Sequence, residues 1–458
     1  MAVTTNARIV IRPMTAKRPL LSKWADVFCA VLGIGTSFSG HLVGDLYAAE
    51  ALLLVVFPVL IILRGRRVLR GELKVFYLLM AFWLLGLVIA DGYNQIPIVD
   101  RMRGVALIVF FGINVLGMSI LLGQNEKRKV YYFVGLMLGA LAAVRLQPSL
   151  AFQDYPWKFG YSWGTMQLVL IVSSYLYARH RYVVSALLIL GICAVNLALN
   201  YRSPVLDLLL TIAMVYPIIP ERFGNFQLLP KTQGLRLVVL ALIATVAAGA
   251  AKQMVDFVTK AGLISDEAKE KNESQAKLGN LLLGGRPEFV IGLRAALDSP
   301  LIGHGSWAKD IKYFEMFYDW TVETGAQEEQ TGGDIEAEAD GLIPGHSHII
   351  TAWVWAGIAG LIFWIYVISL VGRGMASVAL LRPPLAPLYM WFLISMFWDI
   401  LFSPFAANRR VTEAVMVVIV ADLLEKRVPV IQASWRRMGA TVNVRALKAS
   451  NKPIISSS

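Results

Sequence analysis

The chain has 458 residues, 57% of them hydrophobic and only 16% charged, with a mean hydropathy of +0.60. An ordinary soluble domain carries about 25% charged residues, and here the apolar residues gather into runs long enough to cross a bilayer as helices, about 17–25 residues each. The net charge of +12 does not point to nucleic acid, because most Lys and Arg sit in short segments between apolar runs, where they orient a membrane protein.

A basic head with Arg8, Arg12, Lys17, Arg18 and Lys23 leads into a first span that carries no evident cleavable signal. Twelve spans are expected, at about 24–40, 46–63, 75–90, 104–122, 130–146, 161–178, 183–199, 204–219, 235–251, 349–371, 386–403 and 411–424. The last is short and holds Glu413 and Asp422, which weaken it as a span. Cys29 and Cys193 both lie inside apolar runs, so they imply packing and neither a disulfide framework nor a metal cluster. With the N-terminus in the cytoplasm, 27 of the 43 Lys and Arg fall on the inside, and the short outside segments carry few. The expectation is an all-α polytopic membrane protein with about twelve transmembrane helices, both termini cytoplasmic, and one large, partly helical periplasmic loop. Its parts are an N-terminal membrane bundle of about nine spans (1–251), the loop (252–348), a C-terminal bundle of about three spans (349–424) and a basic cytoplasmic tail (425–458).

The loop holds more than half of the 31 acidic residues, several in a Gly-rich stretch from Glu323 to Asp340 that reads as a solvated segment or a lid. Arg286 to Leu297 reads as a helix. Pro287 suits a first helical position, Phe289, Leu293 and Leu297 share one face, and Ser299-Pro300 ends it. A second helix is expected from Lys309 to Trp320, rich in aromatic residues, as an interfacial anchor or a platform for sugar rings.

The candidate site residues cluster at the outer face. Arg202 sits in a tight turn before the eighth span, Arg101 and Arg103 at the outer end of the fourth, and Arg286 at the start of the loop helix. A guanidinium offers a planar fork of donors that matches phosphate and stays charged. The competing role is contact with lipid headgroups, which is the default for Arg145, Arg409 and Arg410. Of five histidines, His180 lies in a basic inside loop, His41 in the first outer turn, and His304, His346 and His348 in the large loop. A neutral imidazole at His346 can take a proton from a hydroxyl near neutral pH. A purely structural histidine is the alternative. No HExxH or comparable metal spacing occurs.

His346-Ser347, nine residues, then Gly357-Ile358-Ala359-Gly360 resembles the His-Asn/Ser/Gln-x9-Gly-x-x-Gly signature of the O-antigen ligase superfamily. Gly284-Gly285-Arg286, followed by Ser299-Pro300-Leu301-Ile302-Gly303-His304-Gly305, resembles that family's arginine-led loop helix and Pro-Leu-x-Gly-x-Gly turn, with Val290 where the family's Arg-x3-Leu ends in leucine. Arg202-Ser203 is similar to the arginine before the family's eighth span. The resemblance implies an enzyme of the bacterial inner (cytoplasmic) membrane that needs no metal or other cofactor. It would move a glycan, with inversion, from an undecaprenyl-diphosphate-linked donor at the periplasmic face, among membrane lipids. Arg202 and Arg286 would hold the diphosphate leaving group, His346 would act as base, and Arg101, Arg103, His304 and His348 would contact substrate. The acceptor would be lipid A-core for a ligase, the slightly favoured reading, or a lipid-linked repeat for a polymerase of O-antigen, capsule or exopolysaccharide. A transporter or flippase would also use many spans and intramembrane arginines, but no half-to-half repeat is seen.

Overall fold

The computed structural model describes residues 20–216, 287–324 and 341–427, apart from 42–44, 69–70, 150–151, 154, 200 and 202. The basic head, the expected ninth span, the acidic Gly-rich stretch and the C-terminal tail lie almost entirely outside them. α1 (Leu20–Gly35) is followed by an antiparallel ribbon of β1 (Ser39–His41) and β2 (Asp45–Tyr47), then α2 (Ala48–Val68), α3 (Gly71–Tyr93), α4 (Ile98–Leu121) and α5 (Glu126–Leu146). A single π turn (Trp157–Tyr161) leads into α6 (Ser162–Ala178), α7 (Tyr182–Ala198) and α8 (Ser203–Val215). The loop contributes α9 (Pro287–Asp298) and α10 (Ile311–Thr324), and α11 (His348–Leu381), α12 (Ala386–Phe402) and α13 (407–427) complete the described bundle.

A helix lies at each expected span within the described residues. Among them α3, α4, α5 and α11 are long and apolar enough to cross a membrane. α10 begins two residues later than expected and runs on to Thr324. The ribbon was not foreseen. It pairs His41 with Asp45, whose carboxylate meets the imidazole Nδ1 at 3.0 Å. Both cysteines are buried and free.

The weakest expected span is the most enclosed helix. α13 buries Val411, every residue from Glu413 to Leu424, and Arg410 as well. A helix that is apolar all round belongs inside a bundle, and here α13 keeps the buried charges of Arg410, Glu413 and Asp422 because each is paired. At the end carrying the loop, Arg410 donates to both Glu50 oxygens at 2.9 and 2.7 Å, and Asn114 adds a further donor at 2.9 Å. At the far end Asp422 takes Lys129 and Lys426, while Glu126 receives Lys129, Lys426 and the Tyr389 hydroxyl. The expectation that Arg410 reaches lipid headgroups is therefore corrected. Its guanidinium turns inward because the buried Glu50 would otherwise be an uncompensated charge.

Removing one partner of a buried ion pair costs about 3–5 kcal/mol, whereas replacing both is often close to neutral. Arg410→Ala should therefore sharply lower the thermal stability of the detergent-solubilised protein, and Arg410→Met with Glu50→Gln should recover most of it. Equal loss in the single and double variants would contradict this account.

Candidate functional site

The site is built around a break in α11. Gly357 has φ 58° and ψ −146°, outside helical geometry and in a region open mainly to glycine. An added Cβ there would lie 2.1 Å from the Leu301 carbonyl oxygen, and one at Gly360 would lie 2.1 Å from that of Ala352. The two glycines of the Gly-x-x-Gly motif thus serve one bend. The break frees the Val354 and Trp355 carbonyls, which accept from the amides of His304 (2.6 Å) and Gly305 (3.0 Å), while Ile358 donates back to Leu301 (3.3 Å). The loop turn 300–306 is stitched into the gap.

A second clamp comes from the end of α3. Buried Asp91 accepts from the Ser306 amide at 2.6 Å and its hydroxyl at 2.9 Å, and Asn94 donates to the Gly303 carbonyl at 3.1 Å. α9 and α10 are joined through Asp298, which accepts from Lys312 and from the Tyr313 hydroxyl, both at 2.8 Å. These hydrogen bonds hold the Asp298 carboxyl below the ordinary aspartate value. Burial, then the adjacent carboxylate, pushes the Tyr313 hydroxyl up.

At the start of α11 the Ser347 hydroxyl caps the helix, accepting from the Ile350 amide at 3.3 Å and donating to the Ile400 carbonyl at 3.0 Å. His346, one residue earlier, is half-buried, and its ring makes no hydrogen bond or ion pair with a described residue. His348 is fully buried, with Nδ1 2.6 Å from the Ser403 carbonyl and Nε2 2.7 Å from Glu413 Oε1. A carbonyl only accepts, so Nδ1 donates to Ser403, and Nε2 is hydrogen-bonded to the Glu413 carboxyl. Both nitrogens of His348 are thus engaged within the core.

Of the other expected contacts, His304 donates from Nε2 to the Ala295 carbonyl at 2.8 Å, and Arg101 donates from Nε to the Ile96 carbonyl. Arg103 is exposed and 3.4 Å from Asp100. Arg202 and Arg286 lie outside the described residues. Their described neighbours approach one region, the end of α12. Tyr201 and Ser203 line a cavity with Asp399, Phe289 of α9 meets Phe402 at 5.8 Å between ring centroids, and Ser347 reaches Ile400.

That cavity, of about 650 Å³, opens at the loop end between α1, α5, α6, α8, α12 and α13. Its wall includes Asp207, Asp399, Glu413 and Arg409 together with Trp163, Trp391 and Trp398. Arg409 is ion-paired to Asp399, and Ser395 donates to Asp207 at 3.1 Å. The sequence reading missed these carboxylates as site residues. The available signal was an ionisable side chain inside an apolar run, a mark of function or of a buried partner. His346 is not itself among the lining residues, but Ser403 and Glu413, which hold His348, are. No protein-family model matches the chain, and no curated protein matches it at a significant level.

Gly357→Ala forces a side chain into the Leu301 carbonyl and adds strain of about 1–3 kcal/mol. Hydrogen exchange should accelerate at the His304 and Gly305 amides, with α4 and α5 unchanged. Wild-type protection at those two amides would remove the stitching role.

Proposed function

We propose that the chain is a membrane glycosyltransferase of the O-antigen ligase/polymerase type, moving a glycan from undecaprenyl diphosphate to a hydroxyl acceptor. In this reading the chain makes about twelve spans in the bacterial inner membrane, with both termini cytoplasmic and the loop end facing the periplasm. The observation that carries it is the junction at His346. The residues resembling the family signature coincide with a helix cap and a helix break that lock the loop to the bundle, and the His346 ring has no described partner.

The cavity's charges divide the labour. Arg409 is the one cation in its described wall and is already paired with Asp399, so the wall offers a diphosphate no free positive charge. Carboxylates and tryptophan faces suit the hydroxyls and apolar faces of sugars instead. The positive charge for the leaving group falls to Arg202 and Arg286. In the transfer step the acceptor oxygen forms a bond to the anomeric carbon as its proton passes to His346. The bond from that carbon to the diphosphate oxygen breaks, and the electron pair leaves with the diphosphate, held by guanidinium groups. Attack opposite the leaving group inverts the anomeric centre.

The short segment between α5 and the π turn favours a ligase, whose acceptor is lipid A-core, over a polymerase extending a lipid-linked repeat. In a deletion strain a ligase leaves long chains on the lipid carrier, and a polymerase leaves single repeats.

His346→Ala should reduce surface polysaccharide by two to four orders of magnitude, the usual range for losing an acid–base group, about 10²–10⁴, with normal membrane insertion. Full activity in a complemented strain would remove His346 from the chemistry. Transfer by purified protein should also survive EDTA, since fixed guanidinium charge replaces a metal. Activity lost to EDTA and restored by Mg²⁺ would contradict that.

A further inference from the structure

The end of the bundle opposite the loop carries a second, smaller cavity. The α6–α7 turn is Arg179-His180-Arg181, and beside it lies a space of about 460 Å³ lined by Tyr175, Leu176, Arg179, Arg181 and Val184. The Arg179 guanidinium lies 5.0 Å over the Tyr175 ring. Neither arginine has a carboxylate partner among the described residues. The turn is held rigidly. His180 adopts a left-handed φ of 59°, its Nδ1 is 2.6 Å from the Tyr182 hydroxyl, and the Tyr177 and Tyr182 rings pack at 5.1 Å. Elsewhere at this end the arginines and lysines Arg128, Lys129, Arg373 and Lys426 are matched by carboxylates.

A charge bias that only orients the chain needs neither a cavity nor a path leading to it. Here there is a path. Leu168, Val172 and Tyr175 are exposed on α6 at spacings of four and three residues, so they form one stripe that ends at Arg179. On α7 the exposed Val184, Leu187 and Leu188 continue the apolar surface from the other side of the cavity. An exposed apolar stripe that ends at two guanidinium groups with no described carboxylate partner has the two-part chemistry of a phospholipid.

We propose that this is a binding site for an anionic phospholipid, with the phosphate between Arg179 and Arg181 and an acyl chain along the α6–α7 stripe. Guanidinium forks suit phosphate, and basic pockets between membrane helices are known to take anionic headgroups. The site lies at the opposite end from the proposed transfer chemistry and does not depend on it.

The test uses full-length protein purified in detergent and stripped of lipid, titrated with phosphatidylglycerol, phosphatidylcholine or sodium phosphate, with bound lipid counted by native mass spectrometry. Phosphatidylglycerol should be retained over phosphatidylcholine. Arg179→Ala with Arg181→Ala should weaken its retention at least about tenfold, as loss of two nearby cations predicts. Arg179→Lys with Arg181→Lys keeps the charge but loses the fork, so it should weaken retention less than the alanine pair and serves if the alanine variant does not fold, and Lys74→Ala, at the same end, should change nothing. Equal binding of both lipids, wild-type binding by the alanine variant, loss of binding in the lysine variant, or an equal loss in Lys74→Ala would overturn the site. Displacement of phosphatidylglycerol by inorganic phosphate alone would overturn the lipid in favour of a free anion.

Discussion

Backbone hydrogen bonding near the hydrocarbon is the constraint from which the rest of the loop end follows. An open carbonyl there is costly, so irregular backbone persists only where another part of the protein satisfies it. The break at Gly357 opens two carbonyls, and the amides of His304 and Gly305 close them. The loop turn therefore completes a membrane helix instead of hanging from it. Because the bend also sets the direction of the helix segment before it, it fixes where Ser347 and His346 stand relative to α12. Sequence motifs nearly fifty residues apart are in this way parts of one mechanical joint.

The same economy governs α13. Its charged residues are expensive in an apolar interior, and buried ion pairs are weak sources of net stability. What they supply is register, since Arg410 with Glu50 at one end and Asp422 with Lys129 at the other leave little freedom to slide or rotate. Register matters because Glu413 has two faces. It holds the buried imidazole of His348 and also forms part of the cavity wall. A displacement of α13 would therefore move the cavity and the start of α11 together.

Helix positions were legible because apolar runs of bilayer length leave few alternatives, and α9 was legible from its proline, its i, i+4 face and the Ser299-Pro300 stop. The wall of the cavity was not. Glu413 and Asp422 were visible as charges in an apolar run, but hydropathy records them only as a defect in a span, and their partners His348, Lys129 and Lys426 are remote in sequence or on the same helix. Arg410 was misread for the same reason, since its acid, Glu50, lies some 360 residues away. The motif glycines were recognisable as a pattern. Their reason, one left-handed bend and one close backbone approach, appears only when α11 meets Leu301.

The arginines compared in this way have two fates, and the presence of a carboxylate decides between them. Arg410 is consumed by Glu50, Arg409 by Asp399, and Arg179 and Arg181 line a cavity without a carboxylate partner among the described residues. The cavity beside Tyr201 and Ser203 can be read by the same criterion. Asp399 is already satisfied by Arg409, Asp207 accepts from Ser395, and Glu413 is held by His348. The described carboxylates of this wall are therefore all engaged, and a further cation beside them would meet no carboxylate left without a partner.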